Sequence, residues 1–396
     1  MIRFFQRYQT QLAVGMWALL LGIVLSSVLS GNHRSVTDAY AHAATAWLGG
    51  ESMYSGDGTG FIYLPQAAIL YIPFNLLPGY WGDVFWRIVS IGAFGLAIAR
   101  WSELGQGVLW KGGEPRKLFP LLTLVSIPLA FSASRNGQST ILMMALMILS
   151  AMEMNKQRWW NASGLLALCF ALKPLSIVMI LLSAALYPAM AVRFAILLPS
   201  VLVAPFLFQH PGYVHEQYVA CVDQLQISSE LGHTRYWAQF FGMFKVTGIQ
   251  IPPFFQTVLR LALAVGTLWI CWVAKRRMPP GRFSLLLYSF SVCYLMLFNP
   301  RTENNTYAMM GPVLGVFLVY EAFQTSRTRY AVALGVCALC TVGSYEFGKL
   351  VTPPEKCVWL APLVCTAFSI YLAANVLRKN GLAFRPLDGA VNQTLK

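Results

Sequence analysis

The chain has 396 residues, 57% of them hydrophobic and only 11% charged, with a mean hydropathy of +0.57. Soluble proteins carry about 25% charged residues, so the deficit excludes an ordinary water-soluble enzyme and points to a membrane protein. The net charge of +14 sits in short connections between apolar segments, a placement that argues against a nucleic-acid surface.

In chain order, the first apolar window runs from 12 to 29, behind Arg3 and Arg7 as in a signal sequence. Because many spans follow, it is read as a retained anchor. Further windows cover 84–99, 118–131, 141–152, 165–186, 194–208, 258–274, 283–298, 307–323, 330–342 and 358–377. A span needs about 20 mostly apolar residues, with latitude for tilt. The connections hold Arg100/Lys111/Arg116/Lys117, Lys156/Arg158, Lys275/Arg276/Arg277/Arg282, Arg327/Arg329 and Arg378/Lys379/Arg385. Such clusters mark the cytoplasmic side.

Two segments decide the parity. The stretch 61–77 is apolar but interrupted by Pro65 and Pro73 and followed by Pro78. If it spanned, Lys111, Arg116 and Lys117 would fall outside, so it is placed on the outer surface as a short helix or re-entrant piece. The window 165–186 contains Lys173-Pro174, and proline disfavours helix at the residue before it. A break there gives two short spans meeting at the outer surface and returns every later cluster to the inside. The expected fold is an all-α polytopic bundle of about 12 transmembrane helices, one domain over 1–396, with both termini cytoplasmic.

This topology puts His33, His42, His210, His215 and His233 outside, together with most of the acids. Two long outer loops result, 30–83 and 209–256, and they are where chemistry is expected. Six cysteines lie in apolar windows as packing residues; Cys221 and Cys357 are the two placed to face an oxidising compartment. No Walker loop, dinucleotide fingerprint, HExxH or CxxC pair is present, which removes support for nucleotide-driven transport and for zinc chemistry.

In the first outer loop Ser35 is expected as a helix N-cap, with Asp38 three residues on, approximating a capping box. Gly49-Gly50 would end the helix, and Tyr40, Ala43, Ala44 and Trp47 would lay one face on the bilayer. Local sequence leaves Asp38 open between a capping carboxylate and a catalytic base.

An acid soon after the first span, then YxxA, a Gly-ended helix, Tyr54 and FIYLP, resembles glycosyltransferase family 87. The likeness continues through Asn136-Gly137-Gln138 and Ala171-Leu172-Lys173-Pro174, and Asn299 to Asn305 matches a polar outer loop of the family. Leu64 stands where relatives carry the first of two prolines, and the late loop lacks a histidine found in some of them. The resemblance implies a GT-C-fold enzyme similar to polyprenol-phosphate-mannose-dependent mannosyltransferases, acting on the outer face of a bacterial-type inner membrane. The donor would be a polyprenyl monophosphate sugar, the acceptor a lipid-linked or cell-envelope glycan, and the transfer inverting, without metal or other cofactor.

On that likeness Asp38 is the general base, since an acceptor hydroxyl is a poor nucleophile until its proton is taken. Lys173, Arg301 and Arg135 are expected to hold the donor phosphate, whose developing charge needs cations. Lys173 stands out because an ionisable residue interrupting an apolar run is costly to keep there. Tyr63, Asn136, Gln138, Glu303, Asn304 and His42 are expected to contact sugar or acceptor, and Trp47 is a further stacking candidate. The interfacial placement of the aromatics and helix capping by Asn136 are the alternatives. Two rival functions remain: a lipid-linked-glycan transporter, which should show repeated interrupted helices, and an O-antigen-ligase-like transferase using a diphosphate-linked donor.

Overall fold

The computed structural model describes residues 2–31, 35–109, 118–325 and 327–378. It describes side chains there except those of 2–7 and 229–234. His33, Lys111, Arg116, Lys117, Lys379 and Arg385 lie outside the described residues, as do the side chains of Arg3, Arg7, Glu230 and His233. Every regular element among the described residues is helical. The chain opens with α1 (Ile2–Leu29), α2 (Thr37–Gly49), α3 (Pro65–Asn75), α4 (Trp81–Leu109), α5 (Leu118–Arg135) and α6 (Ser139–Asn155). It continues through α7 (Trp159–Leu172), α8 (Ile177–Leu186), α9 (Pro188–Val203), α10 (Pro211–Thr234), α11 (Phe240–Val246) and α12 (Pro253–Arg277). Last come α13 (Pro280–Phe298), α14 (Met310–Phe323), α15 (Thr328–Val342), α16 (Ser344–Gly348) and α17 (Leu360–Leu377).

Among the described residues, eight helical segments are long and apolar enough to cross a membrane. Four shorter apolar segments, 139–155, 159–172, 174–186 and 328–342, account for the remaining expected windows. The chain is a polytopic membrane protein. One end of the bundle is basic. There Arg282 donates to Val108 O (2.8 Å), Arg277 to Val376 O (3.3 Å) and Lys275 to Leu186 O. These cations therefore satisfy terminal carbonyls of α4, α17 and α8, which a helix cannot satisfy itself. Arg282, expected in a loop, is buried in the first turn of α13 in consequence.

The break at Lys173 is present. Lys173 is extended (φ −154°, ψ 110°), and a 3-10 turn, Pro174–Ser176, starts the return. The Trp159 ring at the start of α7 packs with its centroid 5.0 Å from that of Tyr187, the residue after α8, so the two helices form a hairpin with Lys173 at its tip, away from the basic end. α13 is apolar on all sides and 94% buried across its span window, which makes it the central helix. α14 approaches α5 through a GxxxG pair: a Cβ on Gly315 would meet Leu122 at 2.8 Å, and one on Gly311 the Ser126 backbone at 3.0 Å.

Three expectations are corrected. The apolar face of α2 does not lie on lipid: Tyr40, Ala43, Ala44 and Trp47 are buried against α3 and its neighbours. Ser35 is not an N-cap with Asp38 closing a capping box; the N-cap is Val36, and Ser35 Oγ accepts from the Thr37 amide at 3.2 Å. The second outer loop, 209–256, is mostly helix, with 24 residues in α10 and 7 in α11. The segment 61–77 forms the short outer helix α3, as expected. Cys221 and Cys357 are free thiols. They bond Tyr63 O (3.5 Å) and Pro353 O (3.2 Å) respectively.

Candidate active site

At the end opposite the basic cluster lies a cavity of about 560 Å³. Its walls are the start of α2, the irregular stretch 59–64, the Lys173 hairpin tip, one side of α10, and the loop 299–306. Lys173 reaches it because Pro174 ends α7 there. Its side chain is 9% exposed; Nζ donates to Thr140 Oγ1 at 2.7 Å and sits 5.6 Å from the Tyr63 ring. Arg301 enters from the loop after α13. Its guanidinium donates to Gly58 O (3.2 Å) and Ser228 Oγ and lies 4.9 Å above the Trp237 ring. Burial lowers the Arg301 pKa, and the neighbouring Glu303 carboxylate raises it.

Glu303 is exposed to the cavity, where its carboxylate accepts from Gln138 Nε2 at 3.2 Å. It is the one carboxylate among the lining residues, and its charge interacts with those of Lys173 and Arg301. Tyr63 and Tyr40 also line the cavity, with ring centroids 5.6 Å apart. Burial raises the pKa of both phenols, so they stay neutral; the Tyr40 hydroxyl donates to Ser139 Oγ at 3.2 Å.

The expected site residues divide. Lys173, Arg301, Tyr63, Gln138 and Glu303 come together around the cavity. Asp38 does not line it. Ser35, Val36, Ala39 and Tyr40 do, so one side of α2 faces the cavity while Asp38 and, one turn on, His42 share the exposed side. Arg135 is also exposed; its carbonyl, not its guanidinium, is used nearby. Asn136 contributes its backbone oxygen to the Val36 amide (3.0 Å), and Asn304 donates to Cys357 O (3.0 Å). Trp47 is 1% exposed and packs on Tyr213, which removes it as a stacking platform for substrate.

A buried lock positions the site, and sequence reasoning passed over it. Arg87, 1% exposed, pairs with Asp83 and donates to Arg135 O (2.8 Å) and Ser35 Oγ (3.3 Å). Asp83 also accepts from Thr37 Oγ1 (2.6 Å), and Trp86 Nε1 donates to Gly137 O (2.7 Å). These bonds fasten the start of α2 to the turn between α5 and α6, so both walls move together. Gly137 makes that turn at φ 66°, and a Cβ there would sit 2.7 Å from Thr37 Cγ2. The available signal was an acid and an arginine four residues apart at the outer end of a span.

Arranged this way, the cavity offers three cations (Lys173, Arg235 and Arg301), two neutral phenols and one carboxylate to a ligand that enters between apolar walls. Searches among curated proteins and among solved structures return no match. The profile of Glycosyltransferase family 87 matches residues 61–300, more than half of the chain and from the FIYLP stretch through Lys173 to Pro300, and the chain belongs to that family.

Proposed function

We propose that this glycosyltransferase moves a hexose, mannose-like in class, from a polyprenyl monophosphate to a lipid-linked or cell-envelope glycan on the outer face of a bacterial-type inner membrane. The observation that carries the reading is the juxtaposition, in one cavity away from the basic end, of Lys173 and Arg301 with the carboxylate of Glu303. Basic residues favour the cytoplasmic side, which supports an outward-facing cavity.

In the reaction, an acceptor hydroxyl oxygen forms a bond to the anomeric carbon from the face opposite the phosphate. The bond from that carbon to the phosphate oxygen breaks, configuration inverts, and the acceptor proton passes to a carboxylate. The leaving lipid phosphate gains negative charge, which Lys173 and Arg301 stabilise most at the transition state. Tyr63 and Gln138 line the cavity with groups that can donate to sugar or phosphate oxygens. Glu303 is the base that the cavity favours. Asp38 is the second reading, supported by the family's acid after the first span and by its place one residue from the lining Ala39.

The test is transfer by the full chain in proteoliposomes, comparing a polyprenyl-monophosphate hexose, its diphosphate-linked counterpart and a nucleotide sugar. Turnover with the monophosphate donor, unaffected by chelator, is expected. Turnover with only the diphosphate-linked donor would favour the ligase-like rival, and glycolipid movement without transfer the transporter.

A further inference from the structure

At the basic end of the bundle, α15 and α17 enclose a groove of about 320 Å³. The two helices run antiparallel there: the Tyr330 ring in the first turn of α15 lies 6.0 Å from the Tyr371 ring in the last two turns of α17. Three alanines, Ala333, Ala367 and Ala374, line the groove, and their short side chains leave the space between the helices. Leu334 and Phe368 are its buried lining. Ile370 on its rim is 64% exposed, and Val332, Val336 and Leu339 of α15 are exposed as well, so the groove opens sideways to the face that meets lipid.

The charged groups stand at one end of it. Arg378, the residue after α17, lines the mouth and is exposed. Arg329 and Arg327 lie 5.9 Å and 4.4 Å from the Tyr330 ring. Arg327 is already committed: it pairs at 3.3 Å with Glu321, a fully buried carboxylate that also accepts from the Tyr371 hydroxyl at 2.7 Å. Arg378 and Arg329 have no carboxylate partner among the described residues, and no carboxylate lines the groove. Two uncompensated guanidiniums and a phenol therefore stand at the membrane surface, above a slot whose lining carries no charge. The placement of basic residues puts this end in the cytoplasmic leaflet, whose anionic lipids are attracted to basic pockets between membrane helices.

We propose that the α15–α17 groove binds an anionic phospholipid of the cytoplasmic leaflet, with its phosphate on Arg378, Arg329 and the Tyr330 hydroxyl and one acyl chain between the alanines. Charge complementarity selects this occupant. A zwitterionic lipid brings its own cation toward the two arginines, and a free phosphate leaves the apolar slot unfilled. A second copy of this chain, docked by the same face, would bring a second pair of arginines to the mouth. The bound lipid holds α15 to α17 beside the Glu321–Arg327 pair, which fastens the start of α15 to α14. The site is separate from the cavity at the other end and does not depend on the transferase reading.

The test uses the full chain in detergent, with lipid retention read by native mass spectrometry and melting followed on the same samples. Phosphatidylglycerol is the probe, phosphatidylcholine with the same acyl chains the control. Arg378→Gln is expected to lower phosphatidylglycerol retention by about fivefold, and Arg329→Gln added to it by about 25-fold. Ala367→Phe fills the slot from an exposed position and should lower retention with both arginines in place. Phosphatidylglycerol should raise the melting temperature of the parent and raise it less in these variants. Arg158→Gln removes an exposed cation from the turn between α6 and α7 and should leave retention unchanged. Glycerol 3-phosphate in excess should not displace the lipid. Retention unchanged in both Arg378→Gln and Ala367→Phe, lowered as much by Arg158→Gln, or matched by phosphatidylcholine would overturn the proposal. Displacement by glycerol 3-phosphate would reduce the site to a phosphate contact and overturn it as well.

Discussion

Glu303→Gln removes a proton acceptor and little else. The side chain is exposed to the cavity, and the hydrogen bond it accepts from Gln138 at 3.2 Å can be accepted equally by a carboxamide oxygen. Folding stability should therefore change by no more than about 0.5 kcal/mol, as at other exposed positions. Donor retention should persist, because Lys173 and Arg301 are untouched. Transfer should fall by about 100-fold or more, the loss expected when a general base is removed. At about 1.36 kcal/mol per tenfold, that is a barrier increase of about 2.7 kcal/mol. Asp38→Asn is the matched comparison: the side chain is exposed on the far side of α2 and should leave transfer near the parent rate. Single-turnover transfer of labelled sugar in proteoliposomes, with thermal melts on the same samples, measures both. Loss of transfer in Asp38→Asn with near-parent transfer in Glu303→Gln would refute the geometric argument and make Asp38 the base.

Lys173→Met fills the same space without the charge; donor KM should rise about tenfold or more while the melt holds or rises, since a buried cation is removed. Unchanged donor KM would return Lys173 to a structural role. Arg87→Met strands the Asp83 carboxylate and the Arg135 carbonyl, and thermal unfolding should report a loss of about 3–5 kcal/mol, with transfer falling alongside; a parent-like melt would show the lock to be dispensable. Asp57 has its pKa lowered to about 2, first by the Ser55 hydroxyl and then by bonds from Thr59. Its folded pKa lies below the ordinary 3.8, so its contribution is present above that value and disappears as pH falls toward 2. The melting difference between the parent and Asp57→Asn should accordingly close between about pH 4 and pH 2, and a gap that persists at pH 2 would contradict the hydrogen-bond explanation.

Much of the fold was legible because the bilayer imposes length and apolarity on every crossing helix. The windows read from hydropathy all correspond to helices, and Lys173-Pro174 announced its break through proline's missing donor. The 61–77 stretch was placed by charge parity and is the short helix α3. What stayed hidden depends on orientation rather than on type. α10 is polar along its 24 residues and gives no apolar signal, so it read as loop. The face of α2 was legible, but nothing local distinguishes an apolar stripe on lipid from one on α3. Glu303 and Asp38 are both acids in outer segments, and their spacing does not say which one the turn at Gly137 and the hairpin tip enclose. The Arg87 lock links positions 48 residues apart, a separation no local pattern encodes.

The most direct measurement is a cryo-EM map of the full chain in a lipid nanodisc with a polyprenyl-monophosphate hexose bound. The phosphate is expected against Lys173 Nζ and the Arg301 guanidinium, with the sugar toward Glu303 and Gln138 and the prenyl chain leaving between apolar walls. A phosphate bound elsewhere, above all on the exposed side of α2 beside Asp38 and His42, would contradict the central claim that this cavity is the donor site.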